Sequence, residues 1–132
     1  MKKIIGVVFP DLGNKNIKVE LDSSFSPKTF KAILDHFPVK VKINIWGDEL
    51  YTDLTEIDVE AEENGKTEVS KLDVAYWPEG KALCLFYGPT PISKDGKIYA
   101  YSPVKIVGKS LDPPMKDNIL DHVKTKTNVV IK

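Results

Sequence analysis

Short runs that alternate between apolar and polar residues dominate this chain, and they predict a fold built mostly of β-strands. In the clearest run, residues 39–46, valines and isoleucines occupy every second position and alternate with Lys40, Lys42, Asn44 and Trp46. Trp46 therefore shares a face with lysines, and we expect that face to lie outside the fold. Further strands are predicted at residues 3–9, 16–21, 49–52, 56–62, 73–77, 82–87, 104–107 and 128–131.

Two segments depart from this period of two and predict short helices. In the first, Ser26 and Pro27 provide a cap followed by proline at the first helical position, and Pro38 ends the helix. The second opens at residues 112–114. Its apolar side is formed by Met115, Ile119, Leu120 and Val123. Many short strands with two helices predict a mostly β fold, a β-barrel with a helix over each open end, in one domain of residues 1–132.

Charge and cysteine content narrow the classes of partner. The 132 residues carry 19 basic and 19 acidic side chains, so no overall field attracts nucleic acid or an anionic membrane. No stretch approaches the roughly 18 apolar residues of a membrane span. Cys84 is the only cysteine, which excludes an intrachain disulfide and fits a reducing compartment. We therefore expect a cytoplasmic protein that binds neither nucleic acid nor membrane.

All 19 basic residues are lysines, and the chain contains neither arginine nor glutamine. A guanidinium presents a planar fork of donors that an ammonium group does not reproduce. Mechanisms that require an arginine are therefore excluded. The excess of lysine and glutamate over glutamine also agrees with a thermophilic source.

The spacing of residues in this chain does not match the known sequence motifs for metal binding, nucleotide binding or nucleophilic catalysis. His36, His122 and Cys84 show no ligand spacing. Residues 65–67 and 108–110 end like phosphate-binding loops but lack the glycine that such loops carry five residues earlier. We expect no metal and no cofactor.

Two stretches resemble a known family. Residues 44–51 read NIWGDELY, and residues 73–93 read DVAYWPEGKALCLFYGPTPIS, with SPVKIVGK following at residues 102–109. Together they resemble the small cyclophilin-like family of archaeal and thermophilic-bacterial proteins, whose known members share the cyclophilin barrel and have no assigned reaction. The resemblance implies a cyclophilin-like β-barrel that uses its outer face for binding.

The chain departs from true cyclophilins at the residues those enzymes use for catalysis. They isomerise X-Pro bonds with an arginine, a glutamine beside it and a pocket of Phe, Trp and His. Here Ala82 lies near the place of the glutamine, and neither His36 nor His122 falls at a matching position. The uncatalysed barrier is about 20 kcal/mol, and no guanidinium is present to stabilise the twisted amide. The resemblance therefore implies that prolyl isomerase activity is lost or weak.

Aromatic and polar side chains in and beside these stretches are the candidate binding residues. A large aromatic on the outer side of a strand often marks a binding surface, although a single ring is more often a core residue. A carboxylate at position 49 would accept a ligand amine or act as a base, or else be a solvated turn residue. Residues 88–101 contain Pro89, Pro91 and Gly96 and are predicted to form a surface loop. Hydroxyl groups of this loop would bond a ligand or, more commonly, their own backbone. The candidates are Trp46, Glu49, Tyr51, Tyr76, Trp77, Phe86, Thr90 and Ser93.

Three functions remain open at this stage. The first is a binding module that takes a small molecule or short peptide in an outer groove. The second is an enzyme in the same groove, either a weak, degenerate peptidyl-prolyl isomerase or an unrelated activity. The third is an assembly domain whose aromatic patch is buried against another subunit. The fold alone does not select among them, because one barrel hosts many functions.

Overall fold

The computed structural model describes residues 1–59, 63, 65–113 and 116–132. Within them the helix α1 spans Pro27–Asp35. The strands are β1 (Lys2–Phe9), β2 (Lys15–Asp22), β3 (Val39–Trp46), β4 (Glu49–Thr52), β5 (Lys66–Val69), β6 (Asp73–Trp77), β7 (Ala82–Phe86), β8 (Ile98–Ser110) and β9 (Thr127–Ile131). Short 3-10 helices span Pro10–Leu12, Pro78–Gly80 and Lys116–Asp121.

The strands form a closed antiparallel β-barrel. Their order is β2-β1-β9-β3-β4-β7-β6-β8, and β8 pairs again with β2, so these strands complete a ring. Within the described residues, strand β5 pairs with the first part of β8, at residues 98–104, and with no strand of the ring on its other side. This architecture confirms the prediction of a mostly β, cyclophilin-like barrel.

Closure of the ring depends on Gly108. In the pairing of β2 with β8, Gly108 lies opposite Leu21. A Cβ atom at position 108 would lie 2.1 Å from the carbonyl oxygen of Glu20. Because no side chain fits in that gap, glycine lets the two strands approach closely enough to pair.

The interior of the barrel is a packed apolar core. Phe9, Ile17, Leu21 and Leu50 are all almost completely buried there. The space left inside is about 40 Å³, little more than the volume of one water molecule. A ligand therefore has no room inside the barrel and must bind elsewhere.

Helix α1 begins at Pro27 as the sequence predicts, but its cap comes from a distant residue. The hydroxyl of Ser26 donates to the carbonyl oxygen of Ile106 at 2.8 Å and makes no cap bond. The Glu63 carboxylate instead accepts from the amides of Lys28 and Thr29 at 2.8 and 2.9 Å. These bonds tie the start of the helix to β8 and to residue 63.

The second helical segment is a short 3-10 helix, Lys116–Asp121, rather than a full α-helix. Ile119 and Val123 are buried in the core as the sequence predicts, whereas Met115 lies outside the described residues. No helix within the described part of the chain is long and apolar enough to cross a membrane.

The strand predicted at residues 56–62 is wrong for its described part, residues 56–59, and residues 60–62 lie outside the described residues. The backbone here bonds to side chains rather than to a neighbouring strand. The amide of Ile57 donates to Thr55 Oγ1 at 3.1 Å, and its carbonyl accepts the Tyr76 hydroxyl at 2.6 Å. These bonds hold the buried Ile57 in place without a ladder.

The surface loop predicted at residues 88–101 is shorter than expected, because β8 begins at Ile98. The first part of β8 pairs with β5, which the sequence did not reveal. Between the pairs Glu68–Tyr99 and Lys66–Val104, the longer strand carries three more residues than its partner. Pro103, which has no N–H to donate, lies in this bulge. The bulge therefore interrupts the pairing of β8 with β5, just before the residues of β8 that pair with β6 in the barrel.

We expect Glu63→Gln to lower the free energy of unfolding by about 1 kcal/mol, since it weakens the cap of α1. Burial alone would raise the pKa of Glu63, but the hydrogen bonds from Lys28 and Thr29 outweigh it, and the pKa lies below its ordinary value of 4.5. The stabilisation should therefore be present at neutral pH and disappear as acid protonates the carboxylate. Urea denaturation at pH 7 and pH 3 measures both effects.

The control for this prediction is Glu56→Gln, which removes the same charge from an exposed residue. An equal loss of stability in both variants would show that the charge, not the cap, is responsible.

Candidate functional site

A second apolar cluster lies on the outer side of the barrel wall. Side chains alternate along β6 and β7, so Ala75, Cys84 and Phe86 point away from the interior core while Leu83 and Leu85 point into it. The outer cluster is completed by Val69 of β5 and by Ala100, Val104 and Ile106 of β8. The paired β5 and β8 segments thus cover part of the barrel wall.

An open cavity of about 250 Å³ lies beside this outer cluster. It is slightly smaller than the pockets that hold drug-sized molecules, so it suits a small ligand or one side chain of a peptide. Most of its wall is aromatic, with one carboxyl group. The cavity is lined by Trp46, Glu49, Tyr51, Trp77, Ala100, Tyr101 and Val104.

The four aromatic rings stand nearly at right angles to their neighbours. The ring centroids of Trp46 and Tyr101 are 6.1 Å apart with an interplanar angle of 79°. Tyr101 and Trp77 are 6.2 Å apart at 84°, and Trp77 and Tyr51 are 6.5 Å apart at 85°. Such edge-to-face pairs stabilise one another, so the rings form a continuous wall.

Trp77 is held in its orientation by polar and steric contacts. Its indole Nε1–H donates to the Ser102 hydroxyl at 2.6 Å, and that hydroxyl donates to the Glu79 carboxylate at 2.6 Å. On the other side the ring lies against Gly80, where a Cβ would approach two ring carbons to 2.5 Å. The ring is therefore positioned before any ligand arrives.

The tight turn between β3 and β4 places Trp46 beside Glu49. The two residues are opposite each other in the strand pairing. Gly47 between them has a φ of +58°, and a Cβ there would lie 3.0 Å from the Pro89 carbonyl oxygen. The Asp48 amide donates to that same oxygen at 2.9 Å. The loop after β7 thus fixes the turn that carries two of the cavity residues.

Glu49 is a carboxyl group buried in the wall of the cavity, with only 6% of its surface exposed. Burial raises its pKa to about 7, although a hydrogen bond from the Cys84 thiol works in the opposite direction. Near neutral pH the group therefore exists in both protonation states. It can accept a hydrogen bond, give up a proton or pair with a cation that enters the cavity.

Four of the sequence-predicted site residues come together in this cavity, namely Trp46, Glu49, Tyr51 and Trp77. The other four lie elsewhere. Tyr76 points into the barrel core, and Phe86 is fully buried in the outer cluster.

Thr90 and Ser93 hold their own loop together. The Ser93 hydroxyl accepts from the amides of Thr90 and Tyr99 at 2.9 and 3.1 Å, and the Thr90 hydroxyl donates to the Tyr99 carbonyl at 2.5 Å. Ser93 also borders a broader depression of about 880 Å³, whose lining shares no residue with the aromatic cavity. Both hydroxyl groups thus bond to the backbone of their own loop, which is the commoner role of hydroxyls in loops.

Sequence reasoning missed Ala100, Tyr101 and Val104 in the lining of the cavity. All three belong to β8 around its bulge, in or next to the segment that the sequence predicted as a surface loop. The available signal was the pair of tyrosines at every second position, Tyr99 and Tyr101, which is typical of a strand.

Comparison with known proteins agrees with this fold. The family model described as cyclophilin-like matches residues 5–132. The chain belongs to the cyclophilin-like family. The solution structure of a hypothetical protein from Archaeoglobus fulgidus is similar to this cyclophilin-like protein, with 39% sequence identity and a TM-score of 0.78. The match covers 100% of this chain and 93% of that one. Comparison with curated proteins gave no match.

We expect Gly80→Ala to displace the Trp77 ring, because the added methyl group would overlap two of its carbons. The indole N–H bond to Ser102 should lengthen, shifting the Trp77 indole resonance in NMR spectra. Overpacking of this kind costs about 1–3 kcal/mol of stability. Gly6→Ala serves as the control, since its added Cβ would meet Val8 at an ordinary 3.7 Å. An unchanged Trp77 resonance would contradict the steric argument.

We expect the stability of this cyclophilin-like protein to fall as the pH rises from about 4.5 to 7, owing to Glu49. The folded state holds this proton with a pKa of about 7, against an ordinary value of 4.5 in the unfolded chain. Stability from this group is therefore complete at low pH and lost as the buried carboxyl ionises. Glu49→Gln should remove that component and be more stable than the wild type at pH 8.

Urea denaturation between pH 4 and 8 measures this effect, and carbon-detected NMR follows the carboxyl directly. The difference in unfolding free energy between wild type and Glu49→Gln carries the signal. A Glu49 titration midpoint close to 4.5 would refute the effect of burial.

Proposed function

We propose that this protein is a binding module that takes a small molecule or a short peptide in the outer aromatic cavity. The observation that carries the proposal is the cavity itself, in which Trp46, Tyr51, Trp77 and Tyr101 surround a buried carboxyl group. Concave sites lined mainly by aromatic side chains, with a few polar groups that orient the ligand, are typical of small-molecule binding.

The fixed shape of the cavity supports this proposal. Hydrogen bonds and a glycine contact orient Trp77, and the turn at Gly47 is braced by the loop after β7. A site whose side chains are already ordered loses little conformational entropy when a ligand binds. The filled interior of the barrel leaves the outer face as the place for a ligand.

The same cavity argues against efficient prolyl isomerisation. That reaction needs a donor fork to stabilise the twisted amide, and the chain has no arginine. Within the described residues that line the cavity there is no lysine either. A proline ring would find an apolar surface there but no cationic partner for its carbonyl oxygen.

Glu49 supports a second candidate, an enzyme of another kind in the same cavity. General acid–base catalysis is most effective when the pKa of the catalytic group is close to the working pH. Burial raises the pKa of Glu49 to about 7, and the group lines a cavity large enough for a small substrate. A base at this position would remove a proton from a substrate enclosed by the aromatic rings.

We expect small aromatic or amine-containing fragments, or short peptides, to perturb the NMR resonances of the cavity residues. Trp46→Ala should weaken the best of these interactions at least about tenfold, because it removes one wall. Phe25→Ala, which removes an exposed aromatic ring outside the cavity, should leave the affinity unchanged. A diverse fragment and peptide library that perturbs no cavity residue would overturn the binding proposal.

A prolyl-peptide isomerisation assay separates the candidates. We expect the wild-type protein to accelerate isomerisation of the peptide no more than the same concentration of the Trp46→Ala variant does. Acceleration that disappears in this variant would instead establish isomerase activity in the cavity.

A further inference from the structure

We propose that the occupant of the aromatic cavity is a small organic cation, a free compound with a substituted ammonium group. This inference rests on the proposed function and names the ligand class for the same site. It combines two features of one cavity, a buried carboxyl group and four aromatic rings around it.

The carboxyl group gives the cavity a preference for positive charge. Glu49 is 6% exposed, and its one side-chain hydrogen bond that affects its titration comes from the uncharged thiol of Cys84. The described residues that line the cavity supply no ammonium group of their own. A ligand cation would therefore provide the opposite charge that makes ionisation of a buried carboxyl favourable.

The rings supply a second attraction for the same charge. The faces of Trp and Tyr rings carry negative potential, and a cation within about 6 Å of a ring centroid is attracted to it. Trp46, Tyr101, Trp77 and Tyr51 follow one another around the cavity at angles between 79° and 85°. Aromatic cages that recognise quaternary ammonium groups use several such rings as adjoining walls.

Other ligand classes satisfy fewer of these features. An anion would be repelled by the ionised Glu49, and a neutral ring would leave its carboxylate without a positively charged partner. A metal ion needs several ligating groups, whereas the described lining offers one carboxyl group and two phenols. The volume of about 250 Å³ also favours a small free molecule over a bulky one.

Calorimetric titration with choline and with 3,3-dimethyl-1-butanol tests the inference. The second compound has the same shape but carries carbon in place of the charged nitrogen. At pH 8 we expect choline to bind at least about tenfold more tightly than the alcohol. Glu49→Gln should remove most of this preference, whereas Glu56→Gln, which removes an exposed carboxylate, should keep it.

The pH dependence gives a second readout. A bound cation favours the ionised carboxyl, so choline binding should tighten as the pH rises from 6 to 8 and should release protons. Among the described residues, the other titratable groups beside Glu49 are Cys84 of β7, which hydrogen-bonds to it, and Tyr51 of β4 and Tyr101 of β8, which line the same cavity. Glu49→Gln leaves these three groups in place. If the choline affinity of this variant does not change between pH 6 and 8, the proton released on binding comes from Glu49.

Several outcomes would overturn the inference while leaving the binding module intact. Equal affinity for choline and the alcohol would show that the charge of the ligand plays no part. An unchanged preference for choline in Glu49→Gln would show that the buried carboxyl group does not recognise this charge. Binding of library fragments without any binding of choline would refute the ligand class. Parallel titration with phosphatidylcholine vesicles distinguishes the sources of the ammonium group, and binding to vesicles alone would refute the assignment to a free compound.

Discussion

Closure of the barrel by β8 is the constraint on which the rest of the structure depends. At Gly108 the backbone of β8 comes so close to β2 that only a hydrogen atom fits between them. Because that contact completes the ring, the inward side chains have a closed interior to fill. The first part of the same strand, residues 98–104, pairs with β5 and covers the outer wall. One strand thus creates both the core and the shelter for the cavity.

The cavity exists because both sides of the barrel wall are covered in this region. On β7, Leu83 and Leu85 pack inward while Cys84 and Phe86 are buried on the outside. The carboxyl group of Glu49 therefore lies where little water reaches it. A strand whose outer side faced solvent would not exclude water in this way. The resulting rise of its pKa follows from the layered architecture rather than from a charged neighbour.

The sequence predicted the barrel, the start of α1 and the outward side of β3, because periodicity and proline positions report directly on local structure. It did not predict that Tyr76 packs in the barrel core while Trp77 lines the outer cavity, although the side chains of adjacent strand residues point to opposite faces of a sheet. Nor did it reveal Tyr101 in the cavity, since Pro103 and the loop before it mask a strand whose partner, β5, is only four residues long. Pairing across such sequence distances is a property of the tertiary structure.

Both tryptophans of the chain, Trp46 and Trp77, line the same cavity. Indole emission depends strongly on the polarity and charge around the ring, and here no third indole elsewhere contributes a background. The fluorescence spectrum of the whole molecule is therefore a local signal from one place on its surface. Changes in hydration of the cavity, ionisation of its carboxyl group or arrival of a guest would each be visible optically, without any label.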